Sequence, residues 1–349
     1  MSSRIESRRP TPRWSRRRIC VAMAAACVGA LAASAAGQQP PTTLRLASTP
    51  WSPFTNAPGQ PRFALDLVEA ALQRIGVKAE TTIVPDGTLT PALLEGRFDG
   101  SAAMWRDAER ERSLIYSKPY LENRMLLVGV RGTDVSATSF AALAGKSIAL
   151  VDGFSYGEMP TGAAAPRVVR ARSVEESLQK VLAGETDYAL LEELVVQYLA
   201  SHHDDEVKAR LALGSKPLVI RPLHFALRRD LPGAQAIIDR FNAELPKMIT
   251  DRSYHRLLQV AWIEADVDGD GRPESVPATD QAGQAPPTRD YSILAQAQAA
   301  AVPEPPRRFF IGGQVYNGWG AVPDRYKVGD PTKTPWGSTV APVFSFQWK

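Results

Sequence analysis

Cysteine is nearly absent from this 349-residue chain, and both copies, Cys20 and Cys27, lie close to its start. Beyond Cys27 there is no thiol, which excludes disulfides, thiolate metal sites and a cysteine nucleophile from the body of the protein. Histidine is scarce as well, at four residues. No HExxH helix, phosphate-cradling glycine loop or Ser–His–Asp arrangement appears, so the usual catalytic constellations are missing. Long apolar runs are also missing. The longest, Ile19 to Ala33, is about fifteen residues, short of the roughly twenty that a spanning helix needs.

A real excess of positive charge is missing too, although the chain carries +4 and a pI near 9.1. Residues 1 to 18 hold seven arginines against Glu6, a net of +6, which leaves −2 for the rest. Without a basic stripe, nucleic acid is not an expected partner. A basic block, an uncharged apolar run and the small residues Ser34-Ala35-Ala36 together predict a secretory signal peptide over 1–36, hence a periplasmic protein. Arg16-Arg17-Arg18 also suits twin-arginine export, and the sequence leaves the route open.

From Thr43 onward strand and helix patterns alternate. Leu44 and Leu46 mark a first buried strand. Leu65, Val68, Leu72 and Ile75 step along one helix face, with Gly76 where a C-terminal cap belongs. Thr90-Pro91 opens a further helix with proline at its tolerated first position. Ser147 to Val151 reads as a strand. Ser173-Val-Glu-Glu176 is a capping box that starts a helix stopped by Gly184. Tyr188 to Leu191 and Pro222 to Leu227 read as strands, and Ile238, Phe241, Leu245 and Met248 as a helix face. Such alternation means open α/β sheets.

Three short segments carry a more specific signal: Gly96-Arg-Phe-Asp99, Asp107-Ala-Glu109-Arg110 and Tyr116-Ser-Lys-Pro-Tyr120. Together they resemble the periplasmic polar-amino-acid binding proteins, solute-binding family 3, over roughly Thr43 to Trp262. The resemblance implies an α/β, two-lobed periplasmic binding protein of type II, the Venus-flytrap form, with a C-terminal extension. Lobe 1 would be 43–130 plus 223–262, and lobe 2 would be 131–222. Two crossings near Val128–Arg131 and Val219–Pro222 would form the hinge, with 263–349 appended. It further implies a monomer that captures a small polar solute, an amino acid or related carboxylate, and hands it to an inner-membrane ABC permease. The alternative is an enzyme on the same scaffold, similar to cyclohexadienyl dehydratases, in which a cleft acid would protonate a leaving hydroxyl. The sequence offers that acid no acid–base partner, so a binding protein is the expectation.

The same resemblance implies a ligand shell. Trp51 and Phe54 would cover the ligand. Arg110, whose planar fork matches two oxygens at once, would grip a carboxylate, or else pair with neighbouring acids. Phe154, Ser155 and Tyr156 belong to the loop that would offer backbone N–H groups. Glu192 would receive an ammonium, with Glu193 as the competing position. Three residues depart from the family pattern: Asp107 stands for a threonine, Trp105 for a small residue and Arg62 for a glycine. A negative charge at Asp107 opposes a carboxylate ligand or neutralises Arg110.

Two further clusters stand out. His202 to Glu206 reads as a solvated loop, because adjacent histidines point apart. Asp266, Asp268, Asp270 and Glu274, with Gly271 at the sixth place, have the spacing of short calcium loops, although Pro277 stands where an EF-hand has its glutamate. No cofactor is required. Calcium is the one candidate ion, and a metal-free turn is its alternative. The stretch from Pro277 to Pro306 reads as a linker, followed by strands near Phe309–Tyr316 and Val343–Trp348. These would form a small β appendage.

Overall fold

The computed structural model describes residues 43–51, 53–85, 87–152, 154, 156–196, 204–286, 291–292 and 306–329. The expected leader over 1–36 lies outside these residues, as do Gly153, Ser155, His202, His203 and the expected strand Val343–Trp348. Asp204 opens a short helix, Asp204–Arg210, where a loop was expected. Among the described residues no helix is long and apolar enough to cross a membrane.

The chain folds as two α/β lobes joined by one sheet. Strand β1 (Thr43–Ser48) buries Leu44 and Leu46 completely. It leads to helix α1 (Phe63–Arg74), whose Leu65, Val68 and Leu72 are fully buried. Each large side chain so buried contributes about 1.5–3 kcal/mol. Gly76 ends the helix at φ +74°, a conformation that costs glycine nothing sterically. Arg62, beside that helix start, lies along α1 and pairs with Asp66 and Glu69 on its surface.

Strands β2 (Lys78–Ile83) and β3 (Gly100–Trp105) flank β1 in parallel. Strand β4 (Leu114–Tyr116) follows, and then the long strand β5 (Leu121–Val130). The second lobe holds β6 (Ser147–Val151), β7 (Arg167–Ala171), helix α2 (Val174–Leu182) and β8 (Tyr188–Glu192). Ser173 Oγ caps α2 by accepting the N–H of Glu176 at 3.2 Å. The chain returns through β9 (Leu211–Arg228), and the sheet order is β2-β1-β3-β9-β5-β8-β6-β7, with β4 also paired to β9.

Strands β5 and β9 run antiparallel from Leu121↔Leu223 to Val130↔Leu211 and so belong to both lobes. Their pairing shifts register between Met125 and Val128. Met125 to Val128 already pair with β8, so β5 enters the second lobe before the expected crossing at Val128–Arg131. Only Pro222 to Leu227 of β9 was legible as a strand. The half containing Gly214, Lys216 and Pro217 lacks alternation, and it is extended because β5 supplies its partner.

Gly100 shows how closely β3 and β9 approach. A methyl group there would overlap the carbonyl oxygen of Ala226 and come within 2.8 Å of Leu227 Cδ2. Gly100→Ala is therefore expected to destabilise the protein by about 1–3 kcal/mol, the usual range for overpacking. Urea unfolding measures it, and an unchanged midpoint would show that the two strands separate freely at this point.

After helices α3 (Ala234–Thr250) and α4 (Ser253–Leu258), the chain builds a second sheet. It is made of β10 (Trp262–Ala265), β11 (Glu274–Pro277), β12 (Tyr291–Ser292), β13 (Arg308–Ile311) and β14 (Gln314–Asn317). Their order is β12-β10-β11-β13-β14. The start of the expected linker is thus structured. Glu274–Pro277 is a buried strand, and Ala282 is buried with its N–H on the carbonyl of Tyr326. The sheet has an aromatic cluster of its own around Trp262, Phe309 and Trp319, while Ile263, Ala265 and Val276 join the main core. His255 on α4 ties it down through Nε2, 3.0 Å from the carbonyl oxygen of Val276.

Candidate functional site

The carboxyl ends of β1, β3, β6 and β8 converge between the lobes, where open α/β sheets place their ligands. After β1 the chain turns tightly. The N–H of Thr55 donates to the Trp51 carbonyl at 2.8 Å, and the N–H of Trp51 donates back at 2.9 Å. This turn fixes Trp51 over the cleft. It sends Phe54 into the core, where it is fully buried 4.7 Å beneath Trp51. Phe54 therefore supports the site and does not line it, a correction to the expected ligand-covering pair.

Trp105 ends β3 and is buried. Two residues on, Asp107 Oδ1 accepts the N–H groups of Glu109 and Arg110 at 3.1 and 2.9 Å, capping a short 3-10 turn. Its other oxygen lies 3.0 Å from Arg110 Nε. The aspartate that replaces threonine thus supplies Arg110 with a carboxylate from within the chain. From the second lobe, Phe154 and Tyr156 follow β6. The Tyr156 hydroxyl accepts the N–H of Val151 at 3.0 Å, and burial pushes its ionisation far above the usual phenol range. Ser155 lies outside the described residues.

Glu192 closes the arrangement. It ends β8, is 1% exposed, and its Oε1 accepts the indole N–H of Trp51 at 3.0 Å, joining the lobes. Its Oε2 has no hydrogen-bond partner among the described residues. Burial raises its pKa to about 7, because the charged form loses more hydration than its own backbone N–H and the Trp51 indole N–H return. Glu193, the competing position, makes a buried ion pair with Arg124 Nε at 2.7 Å.

Rings and charges surround one cavity of about 160 Å³. Trp51, Leu89, Trp105 and Arg110 line it from the first lobe, and Asp152 and Phe154 from the second. Of the expected shell, the cavity wall holds Trp51, Trp105, Arg110 and Phe154. Asp107 sits behind Arg110, Glu192 behind Trp51, and Tyr156 behind Phe154 and Trp105.

Sequence reasoning missed Asp152 and Arg221. The guanidinium of Arg221, on the crossing strand, lies 5.6 Å from the Trp105 ring centre, and burial pulls its pKa below the usual arginine value. A lone arginine within the crossing Val219-Ile-Arg-Pro222 was the available signal.

The acidic loop of the extension has a cation of its own. Arg308, 6% exposed, places Nη2 2.6 Å from Asp268 Oδ2 and 2.8 Å from Glu274 Oε1, with Nη1 2.6 Å from Asp270 Oδ2. Asp266 accepts the N–H groups of Gly269 and Gly271 at 2.7 and 3.0 Å. Oxygens of Asp266, Asp268 and Glu274 lie within 4.8 Å of one another.

Comparison with known proteins matches this architecture. The family model of bacterial extracellular solute-binding proteins, family 3, matches residues 44–264. No curated protein sequence matches the chain. Among solved structures, an ancestral arginine-binding protein bound to arginine is 23% identical, with a TM-score of 0.50 over 62% of this chain and 97% of that one. An arginine third transport system periplasmic binding protein from Legionella pneumophila is 20% identical, with a TM-score of 0.50 over 63% and 99%. The GluR0 ligand-binding core in complex with L-glutamate is 14% identical, with a TM-score of 0.52 over 62% and 96%. At these identities the likeness is one of fold.

Proposed function

Since the chain belongs to the bacterial extracellular solute-binding proteins of family 3, we propose that it captures a small polar solute, an amino acid or related charged compound, between its lobes for delivery to an ABC transporter. The observation that carries this reading is the cavity whose wall is shared by Trp51, Trp105 and Arg110 of one lobe and Asp152 and Phe154 of the other. A solute held there touches both lobes at once, so binding favours their closure about β5 and β9.

The site differs from a simple carboxylate–ammonium clamp. Arg110 already faces Asp107, and Glu192 already accepts the Trp51 indole. Both grips implied for an amino acid have internal partners that a ligand must displace or bypass.

The test is a thermal-shift screen of the purified protein against L-amino acids, their decarboxylated amines, betaines and simple carboxylates. A solute that binds only the folded state raises the melting temperature by mass action, by about 2.7 kcal/mol of stability at a hundred times its Kd. At least one class is expected to do so. A protein unmoved by every class would fail this reading.

A further inference from the structure

The three rings on the cavity wall stand nearly at right angles to one another. Trp51 meets Trp105 at 85° and Phe154 at 71°, and Trp105 meets Phe154 at 82°, with centroids 5.3, 5.2 and 5.8 Å apart. Rings set this way around one hollow can turn their negative faces toward a common point, the condition for holding a cation without a counter-ion in direct contact. Trp105 already serves a cation in this fold, through the guanidinium of Arg221.

The charges nearby decide what kind of cation suits the box. A primary ammonium brings three N–H donors, and each needs an acceptor once water is excluded. Among the described residues the acids near the rings are mostly engaged elsewhere. Asp107 is engaged by Arg110 and by two backbone N–H groups. Glu192 lies behind Trp51 and takes its indole N–H. Asp152, on the wall, has Arg170 at 3.8 Å. What remains on the wall is chiefly ring surface, with the hydroxyls of Thr49 and Thr90 and the carboxylate of Asp152 at its margin. A cation without N–H donors loses least on entering such a site, because its hydration is weak and the rings replace it. The positive charge of Arg110 does not oppose this strongly, since Asp107 lies 3.0 Å from its Nε.

Resting on the reading that the cleft takes a small solute, we infer that the cationic end of that solute is an N-alkylated ammonium of the choline or betaine type, seated among the rings of Trp51, Trp105 and Phe154. The distinction from the proposed function is one of ligand class: an amino acid with a free ammonium fits the family, whereas an alkylated one fits this box.

Isothermal titration of the purified protein with four probes tests it: choline, glycine betaine, glycine and 3,3-dimethylbutan-1-ol, the uncharged isostere of choline. Choline or glycine betaine is expected to bind at least about tenfold more tightly than glycine and than the isostere, a margin within the range of a desolvated cation–π contact. Phe154→Leu is expected to weaken that binding by about fivefold or more, and Phe154→Tyr to retain it, because tyrosine keeps the ring. Phe154 is only partly buried, so melting of the unliganded variants checks that folding is unchanged. Binding of glycine or of an L-amino acid while choline and betaine fail would overturn the alkylated-ammonium assignment and leave the solute reading intact. Equal affinity for choline and its uncharged isostere, or wild-type affinity in Phe154→Leu, would likewise overturn the ring-bound cation. Silence from choline and glycine betaine would overturn the ring-bound cation, and silence from every class of the thermal-shift screen as well would overturn both readings.

Discussion

Arg308→Met is expected to lower the stability of the protein by about 3–5 kcal/mol, the loss that follows when one partner of a buried ion pair is removed. Glu274 is the reason. It is fully buried, its Oε2 accepts the N–H of Val267 at 2.9 Å, and its Oε1 has Arg308 at 2.8 Å. Burial already raises its pKa against the pull of Arg308, so without the arginine it must protonate or draw in water. Methionine is close to the arginine stem in length and adaptable in packing, which isolates the charge. Calorimetric melting of the two proteins measures the loss, and coincident melting curves would show that the loop does not depend on its arginine. Calcium is the informative additive. In the wild type it must compete with the guanidinium, whereas in Arg308→Met the oxygens of Asp268 and Glu274 that faced the arginine are released beside Asp266. Stabilisation by calcium is therefore expected to be larger in the variant than in the wild type.

Glu192→Gln is expected to stabilise the protein at pH 8 by up to about 3 kcal/mol, at roughly 1.4 kcal/mol per unit of pKa displacement. The folded pKa, about 7, stands above the ordinary glutamate value of 4.5. The folded state thus binds the proton more tightly than the unfolded chain does. The wild type keeps full stability from this group below pH 4.5 and loses it progressively as pH rises through 7. The amide stays neutral, can still accept the Trp51 indole N–H, and removes this slope. His224 and His255 act on the acid side: burial lowers both to about 4, so their contribution disappears as pH falls from about 6.5 through 4. Subtracting the two proteins' urea curves at each pH cancels the histidines and leaves Glu192 alone. Parallel profiles from pH 5 to 8 would mean that water reaches the carboxylate.

These two residues also show where sequence reading succeeds and where it stops. Glu192 was placed by the family resemblance of the strand it ends, and α1, α2 and their caps by periodicity and by local residue chemistry. All of these are encoded within a dozen residues. Arg308 was invisible as the loop's cation, because the spacing of Asp266 to Glu274 describes a shell of oxygens and says nothing of what fills it. The filling side chain arrives on a strand beyond a stretch that reads as linker. The same holds for the first half of β9 and for Trp105. The first is extended because β5 lies beside it, and the second forms a wall because Trp51 and Phe154 come to it from other segments. Asp107 lies between the two cases. Its conflict with a carboxylate ligand was legible as a charge, and the structure adds that the same side chain also caps the turn that presents Arg110.

The position of β9 sets an order on folding. It is the last of the nine strands to be synthesised, yet it lies in the interior of the sheet, between β3 and β5. Until Leu211–Arg228 has been made, β3 has an open edge along a strand that is buried from end to end in the finished protein. Such an edge pairs readily with other chains. Contacts of this sequence separation also form slowly, since the intervening loop must be closed before they give any return. The first-lobe strands therefore cannot close into their final sheet before the chain has run through the second lobe, and β9 then joins β3 to β5.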